Sequence, residues 1–226
     1  MIPVLVVIPC RDEAGDIVSV IRGFRAALPR ARILVADNAS TDGSGELAAG
    51  AGAEVLAVSD GGKGCAVRAG LAAAREFEIV LLADGDGAFD PEDAPRILAP
   101  IEAKEADIVI GSRFPFGEDI PFPRRIANGA INALVRRLFG TAQTDLLSGF
   151  RALSPAARRS LALEACGFEI EMEMSLAALC GGLRVVEAPV AVRRRTRGTS
   201  KVRLWRDGLR LVRFAFARRF FRKGIE

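Results

Sequence analysis

Two carboxylates, Asp84 and Asp86, stand two residues apart in Asp84-Gly85-Asp86, directly after the apolar run EIVLLA. At the end of a buried strand such a pair can share one hard cation, because oxygen donors suit Mg2+ or Mn2+. A cation held there neutralises a diphosphate leaving group. The bland alternative is a solvated turn. A calcium-binding loop is excluded, since Phe89 and Pro95 stand where that loop needs Gly and Glu.

Two further clusters follow apolar runs. Asp37, in DNASTDGS after ILVA, can accept hydrogen bonds from a nucleobase or ribose. Asp42 and Ser44 read as caps of the next helix. In Gly61-Gly62-Lys63-Gly64 the glycines allow backbone N–H groups to approach a phosphate, and Lys63 adds a positive charge. The spacing is not that of a Walker A loop. The 226 residues contain no histidine and no tyrosine. Ser-His-Asp and Cys-His catalysis, HExxH zinc sites and an imidazole base are therefore excluded. The four cysteines, Cys10, Cys65, Cys166 and Cys180, form no CxxC pair and read as isolated buried thiols.

The elements that must position these residues alternate in type. Val4–Ile8, Ile33–Ala36, Val55–Val58, Ile79–Ala83 and Ile108–Ile110 are short, apolar and bounded by turn residues, as buried parallel strands are. Between the first two, Ile17, Val20, Ile21, Phe24 and Leu28 define one apolar helix face. Pro91–Ala103 and Arg124–Leu138 read as further helices, and Ser154-Pro155 as the N-cap and first residue of another. This rhythm predicts an α/β fold with a mostly parallel sheet and ligands at the carboxyl ends of its strands. Gly111–Pro123, rich in Pro, Phe and Gly, reads as a long loop able to cover a site.

Taken in order, VVIPCRDEAGDI, VADNASTDGS, GKGCAVRAGL, LADGDGAFDPED, DIVIGSR, DLLSGFRAL, GFEIEMEM and RGTSKV resemble the family 2 glycosyltransferases of GT-A fold. Within that family the chain is most similar to polyprenyl-phosphate sugar transferases of the dolichol-phosphate mannose synthase kind. The resemblance runs from about Val4 to Lys201. It implies a Rossmann-like sheet flanked by helices in residues 1–201, and an inverting, metal-dependent hexosyl transfer from a UDP- or GDP-linked sugar. It also implies roles for individual residues. Pro9, Arg11, Glu13, Asp37 and Lys63 would hold the donor nucleotide, Asp84 its ribose and metal side, and Asp86 the metal. Ser112 and Arg113 would approach the phosphates, Asp145 the sugar, and Arg151, which closes the same motif, would be a further ligand of the acceptor or its phosphate. Arg195 and Lys201 would hold the acceptor phosphate. One position departs from the pattern. Polyprenyl-phosphate transferases commonly read DADLQ, where Gln completes the metal site; here Ala88 takes that place, and Asp90 is the nearest substitute.

Charge divides along the chain. From Arg193 to Glu226 there are 13 basic residues against Asp207 and Glu226, a net of +11, which leaves −7 on Met1–Val192. In residues 202–226, a spacing of 100° per residue gathers Leu204, Trp205, Gly208, Leu209, Leu211, Val212, Ala215, Phe216 and Phe220 on one arc. Arg206, Arg210, Arg213 and Arg218 lie opposite, with Phe214 and Phe221 as flaws among them. Such a basic amphipathic helix suits an anionic membrane surface. The alternative is a terminal helix packed on the domain or on a second copy in a homo-oligomer. No nucleic-acid-binding motif accompanies the charge. The N-terminus lacks the features of a signal peptide, and no apolar run reaches the roughly 18 residues of a membrane span. The expected location is cytoplasmic, peripheral on the membrane face.

An ionised phosphate acceptor needs little help from a base, whereas a soluble or glycan hydroxyl acceptor would need a carboxylate such as Asp145. A degenerate, membrane-associated nucleotide-sugar binder is the non-enzymatic alternative, suggested by Ala88.

Overall fold

The computed structural model describes residues 2–59, 61–76, 78–114, 122–192 and 204–220, with side chains for all of these except 122–124, 204–207 and 217–220. Seven strands form one sheet: β1 (Val4–Cys10), β2 (Arg32–Asp37), β3 (Glu54–Ala57), β4 (Ile79–Leu82), β5 (Ile108–Ser112), β6 (Arg151–Leu153) and β7 (Val185–Pro189). Their order is β3-β2-β1-β4-β6-β5-β7. All neighbours are parallel except β6, which runs against both β4 and β5. The five expected strands are present within a residue or two of their predicted ends. β6 and β7 complete the sheet.

Side chains alternate across the sheet and build two cores. Val6 and Ile8 face α1 (Ile17–Ala27) and α4 (Ala94–Glu102), meeting Ile21, Phe24 and Ile97. Leu5 and Val7 face the other way, toward α3 (Lys63–Ala72) and α7 (Ile170–Cys180). The remaining helices are α2 (Ser44–Gly50), α5 (Phe122–Phe139), α6 (Pro155–Ser160) and α8 (Leu204–Phe220). Ser154 caps α6 as expected, its hydroxyl accepting from the Ala157 N–H at 3.1 Å.

Three expectations change. The N-cap position of α2 is held by Gly43, at φ +83°, not by Asp42 or Ser44; Asp42, one residue earlier, accepts from the Ser44 N–H at 3.0 Å. The cysteines are unpaired, but only Cys10 is buried, and Cys180 is exposed. In the Gly111–Pro123 segment, Gly111 and Ser112 belong to β5 and α5 already begins at Phe122, while residues 115–121 lie outside the described residues.

The terminal helix also differs from its projected arc. Leu211 and Ala215 of α8 are buried in the second core, and Phe214, expected on the polar side, packs against it. Leu209 and Phe216 point outward at 62% and 40% exposure. The helix packs along α5, and Arg210 reaches Glu169 at 2.7 Å. Leu204, Trp205, Arg206, Arg218, Phe220 and Phe221 lie outside the described side chains. No described helix is long and apolar enough to cross a membrane.

Candidate active site

The carboxyl ends of β1, β2 and β4, with the start of antiparallel β6, converge on one edge of the sheet. There the loops after β1 and β2 are sewn together. The N–H groups of Asp12, Glu13 and Ala14 donate to Ser40 Oγ, Ser44 Oγ and Asp42 Oδ2 at 3.0, 2.8 and 2.9 Å. In return, Thr41 N–H donates to Asp12 Oδ1 at 2.8 Å. So Asp42 and Ser44 tie the two loops together. Asp37 accepts from the backbone N–H and hydroxyl of Ser40, and its other oxygen lies against Gly45. A Cβ at Gly45 would sit 2.7 Å from that oxygen, so the small residue leaves room for the carboxylate. Pro9 lies in register with Ala36 just before this edge, and Arg11 is exposed beyond it. The Glu13 stem comes within 3.7 Å of where a Cβ on Gly85 would stand, placing it beside the Asp84-Gly85-Asp86 turn.

Lys63 does not sit on an open phosphate cradle. Gly62 and Gly64 leave space that the 165–167 backbone fills: a Cβ at Gly64 would lie 2.3 Å from the Ala165 carbonyl oxygen. The Gly64 N–H donates to the Cys166 carbonyl at 2.9 Å. The Lys63 ammonium bridges Asp84 Oδ1 at 2.6 Å and Glu171 Oε1 at 2.5 Å. Burial alone would pull the pKa of Lys63 down, but the two carboxylates outweigh it and hold the ammonium above the usual lysine range.

Asp84 also rests on Gly149, where a Cβ would meet its oxygens at 2.6 and 2.8 Å. Asp86 Oδ1 accepts from the Ala88 N–H at 3.0 Å. Asp90 caps the short 3-10 turn at Pro91–Asp93. Among the described residues no cluster of three or more acidic residues or cysteines forms a metal site. Asp84 and Asp86 nonetheless offer oxygen donors only, and the space left by Gly149 lets the Asp84 carboxylate lie over the backbone; this set fits a hard divalent cation.

On the other side, Asp145 is wholly buried and grips Arg113 through both oxygens, at 2.7 Å to Nε and 2.6 Å to Nη2. Its carboxylate is thus committed to a guanidinium rather than exposed as a base. Burial would lower the pKa of Arg113, and Asp145 more than reverses that. Glu187 on β7 holds the preceding backbone, accepting from the N–H groups of Thr144 and Asp145, both at 2.7 Å. The Ser112 hydroxyl lies 3.2 Å from the Phe114 carbonyl and 3.3 Å from Thr144 Oγ1.

Arg151 does not reach the cleft. It is fully buried and donates to the carbonyls of Leu146, Ser148 and Glu171 and to Ser175 Oγ. Burial brings its pKa down to about 10. It is therefore a structural cation rather than an acceptor-phosphate ligand. Arg195 and Lys201 lie outside the described residues. Val192, the last described residue before them, bridges Phe89, three residues beyond Asp86.

Sequence reasoning did not single out Glu171, Glu187 or Gly149. The alternating acids of GFEIEMEM were the available signal for Glu171.

Residues 5–165 match the model of glycosyl transferase family 2. Glycosyltransferase AglJ of Haloferax volcanii is 36% identical over 188 residues, 82% of this chain but only 61% of its own length, so the chain spans less than two thirds of that relative. An undecaprenyl-phosphate mannosyltransferase of Micrococcus luteus is 33% identical over 215 residues, covering 88% of this chain and 87% of that protein. In fold, the chain superposes on glucosyl-3-phosphoglycerate synthase from Mycobacterium tuberculosis, a structure that contains Mn2+ and UDP, with a TM-score of 0.72. The two share 22% identity, over all of this chain and 81% of the other. The chain belongs to glycosyl transferase family 2, with a GT-A-like fold.

Proposed function

We propose that this protein transfers a hexose, with inversion, from a nucleoside-diphosphate sugar to a polyprenyl phosphate at a membrane surface. The observation that carries the acceptor is the 33% identity, across 87% of its length, to a relative named for undecaprenyl phosphate. The bidentate Arg113–Asp145 pair supports the same choice, because a hydroxyl acceptor would require a carboxylate able to take its proton.

In this reading the sewn loops of Arg11–Gly15 and Asp37–Ser44 form the wall of the nucleoside pocket, with Pro9, Glu13 and Asp37 at its edge. Asp84 and Asp86 would hold Mg2+ or Mn2+, which would supply positive charge against the diphosphate. Lys63 and Arg113 are held by acidic partners, so their positions are fixed before transfer and need no reorganisation during it. The acceptor phosphate oxygen attacks the anomeric carbon as the bond to the diphosphate breaks. The electron pair leaves with the nucleoside diphosphate, and a single displacement inverts the centre. Arg195 and Lys201 are assigned to the acceptor phosphate, an assignment supported by the Phe89–Val192 bridge at the entrance to their segment. The outward Leu209 and Phe216, with exposed Arg210 and Arg213 nearby, are the membrane-facing side of α8.

Incubation of labelled UDP- and GDP-hexoses and Mn2+ with anionic vesicles containing undecaprenyl phosphate tests the reading. Label should pass to the lipid fraction, Asp86→Ala should reduce this by about a hundredfold or more, and Leu209→Asp with Phe216→Asp should lower vesicle binding. Label that moves only to soluble acceptors would overturn the assignment, and consumption of no donor at all would favour a degenerate binder.

A further inference from the structure

Glu171 is an acid held in the interior by everything around it. Its side chain is 8% exposed, and its own backbone carbonyl accepts from Arg151 Nη1 and from Ser175 Oγ, both at 2.9 Å. Those two bonds fix the first turn of α7. Arg151 in turn is anchored to the Leu146 and Ser148 carbonyls, in the same loop that supplies Gly149 beneath Asp84. The loop before β6 and the start of α7 thus converge on one point, which is occupied by the Lys63 ammonium.

The charges at that point decide what Asp84 can do. If Lys63 paired with Asp84 alone, the two would cancel and Asp84 would offer little to a cation. With Glu171 on the same ammonium, at 2.5 Å against 2.6 Å for Asp84, the three groups carry a net −1. We propose that Glu171 is a positioning residue that shares the Lys63 charge and so keeps Asp84 negative toward a divalent cation. This rests on the reading of Asp84 and Asp86 as the cation-holding pair, and not on the identity of the acceptor or the sugar.

The test is a Mn2+ titration followed by electron paramagnetic resonance, with saturating UDP, repeated with GDP, and no acceptor. Glu171→Gln leaves Lys63 to neutralise Asp84 and should weaken Mn2+ by about tenfold, the effect of losing one nearby charge. Lys63→Met should not weaken Mn2+, and should tighten it. The double variant restores the net charge of −1 and should return to within about threefold of the parent, because two opposite charge effects cancel, whereas simple loss of structure would weaken Mn2+ further with each change. Should Glu171→Gln fail to fold, the comparison of Lys63→Met with the double variant carries the same test. Adding Glu171→Gln to Lys63→Met should then weaken Mn2+ about tenfold. Equal affinity in parent and Glu171→Gln, or a double variant weaker than either single one, would overturn the inference. Asp86→Ala separates the two levels. If it leaves Mn2+ binding intact, the cation-holding pair is wrong and this inference falls with it. If it abolishes binding while Glu171→Gln does nothing, only the role of Glu171 is lost.

Discussion

At the ends of β1 and β2, three backbone N–H groups of one loop are held by the side chains of Ser40, Asp42 and Ser44 in the next, and most of these bonds lie near the surface. At the ends of β5 and β6 the corresponding work is done by charges in the interior: Arg113 on Asp145, Arg151 on four main-chain and hydroxyl acceptors, Lys63 between two acids. The side of the site proposed for the nucleoside is thus stitched by backbone and hydroxyl donors, and the side proposed for transfer by buried ions. Hydrogen bonds near water can be lost one at a time for about 1 kcal/mol each, and about 1.5–3 kcal/mol where a carboxylate accepts. A buried ion that loses its partner is left desolvated and uncompensated, so the second half should fail abruptly where the first degrades by steps.

The largest effect should therefore come from Asp145→Ala. It leaves the 13%-exposed Arg113 side chain without its carboxylate and should cost about 3–5 kcal/mol in urea unfolding. Replacing both partners with Asp145→Leu and Arg113→Met should recover much of that stability while leaving transfer inactive. A loss below about 1 kcal/mol for Asp145→Ala would erase the contrast between the halves.

The same contrast explains what could be read from the amino-acid order. β1, β2 and β4 are strands with apolar faces, so the positions of Asp37 at the end of β2 and of Asp84-Gly85-Asp86 just after β4 were legible. The transfer half was less so. β6 is three residues long and begins with a buried arginine, which no apolar run betrays. In α7, EIEMEM alternates acid and apolar residues as a strand would, yet it is a helix. It tolerates the pattern because the residues from Ile170 to Leu176 are all buried, each acid on a different partner: Glu169 on Arg210, Glu171 on Lys63, Glu173 on the N–H groups of Glu164 and Ala165. Partners more than a hundred residues away in sequence, such as Lys63 for Glu171, leave no local periodicity. Arg151 shows the reverse error: a basic residue in a phosphate-linked motif was read as a ligand, when its task is to hold carbonyls.

A smaller effect is expected in the nucleoside half. Ser44 is fully buried, accepts from Glu13 N–H at 2.8 Å and donates to Asp42 Oδ1 at 2.5 Å. Ser44→Ala leaves that N–H without its acceptor and should cost about 1–3 kcal/mol. Because it loosens the pocket wall and touches no reacting atom, KM for the donor should rise several-fold with kcat nearly unchanged. A fall in kcat at constant KM would place this seam in the transfer step and blur the division.

The smallest effect is a difference in how the β1–β2 seam and a surface ion pair at the far end of β5 lose stability in acid. Burial alone would raise the pKa of Asp42, but the Ser44 hydroxyl and the N–H groups of Ala14 and Ser44 outweigh it and bring it below its ordinary 3.8. A carboxyl depressed in the folded state stabilises fully above its unfolded pKa, and the contribution is lost as pH falls through the folded one. The stability gap between the parent and Asp42→Asn should therefore be level at neutral pH and close below about pH 4. Asp107 at the base of β5 is depressed as well, first by hydrogen bonds from Arg184, and it shares the same sign and acid window. Its partner, however, is an exposed guanidinium, whose attraction salt screens, whereas the partners of Asp42 are neutral dipoles. High salt should then shrink the gap between the parent and Asp107→Asn and leave that of Asp42→Asn in place. Acid titrations of both variants at two ionic strengths read this directly, and an equal salt response in both would mean that the β1–β2 seam is as electrostatic as the surface ion pair.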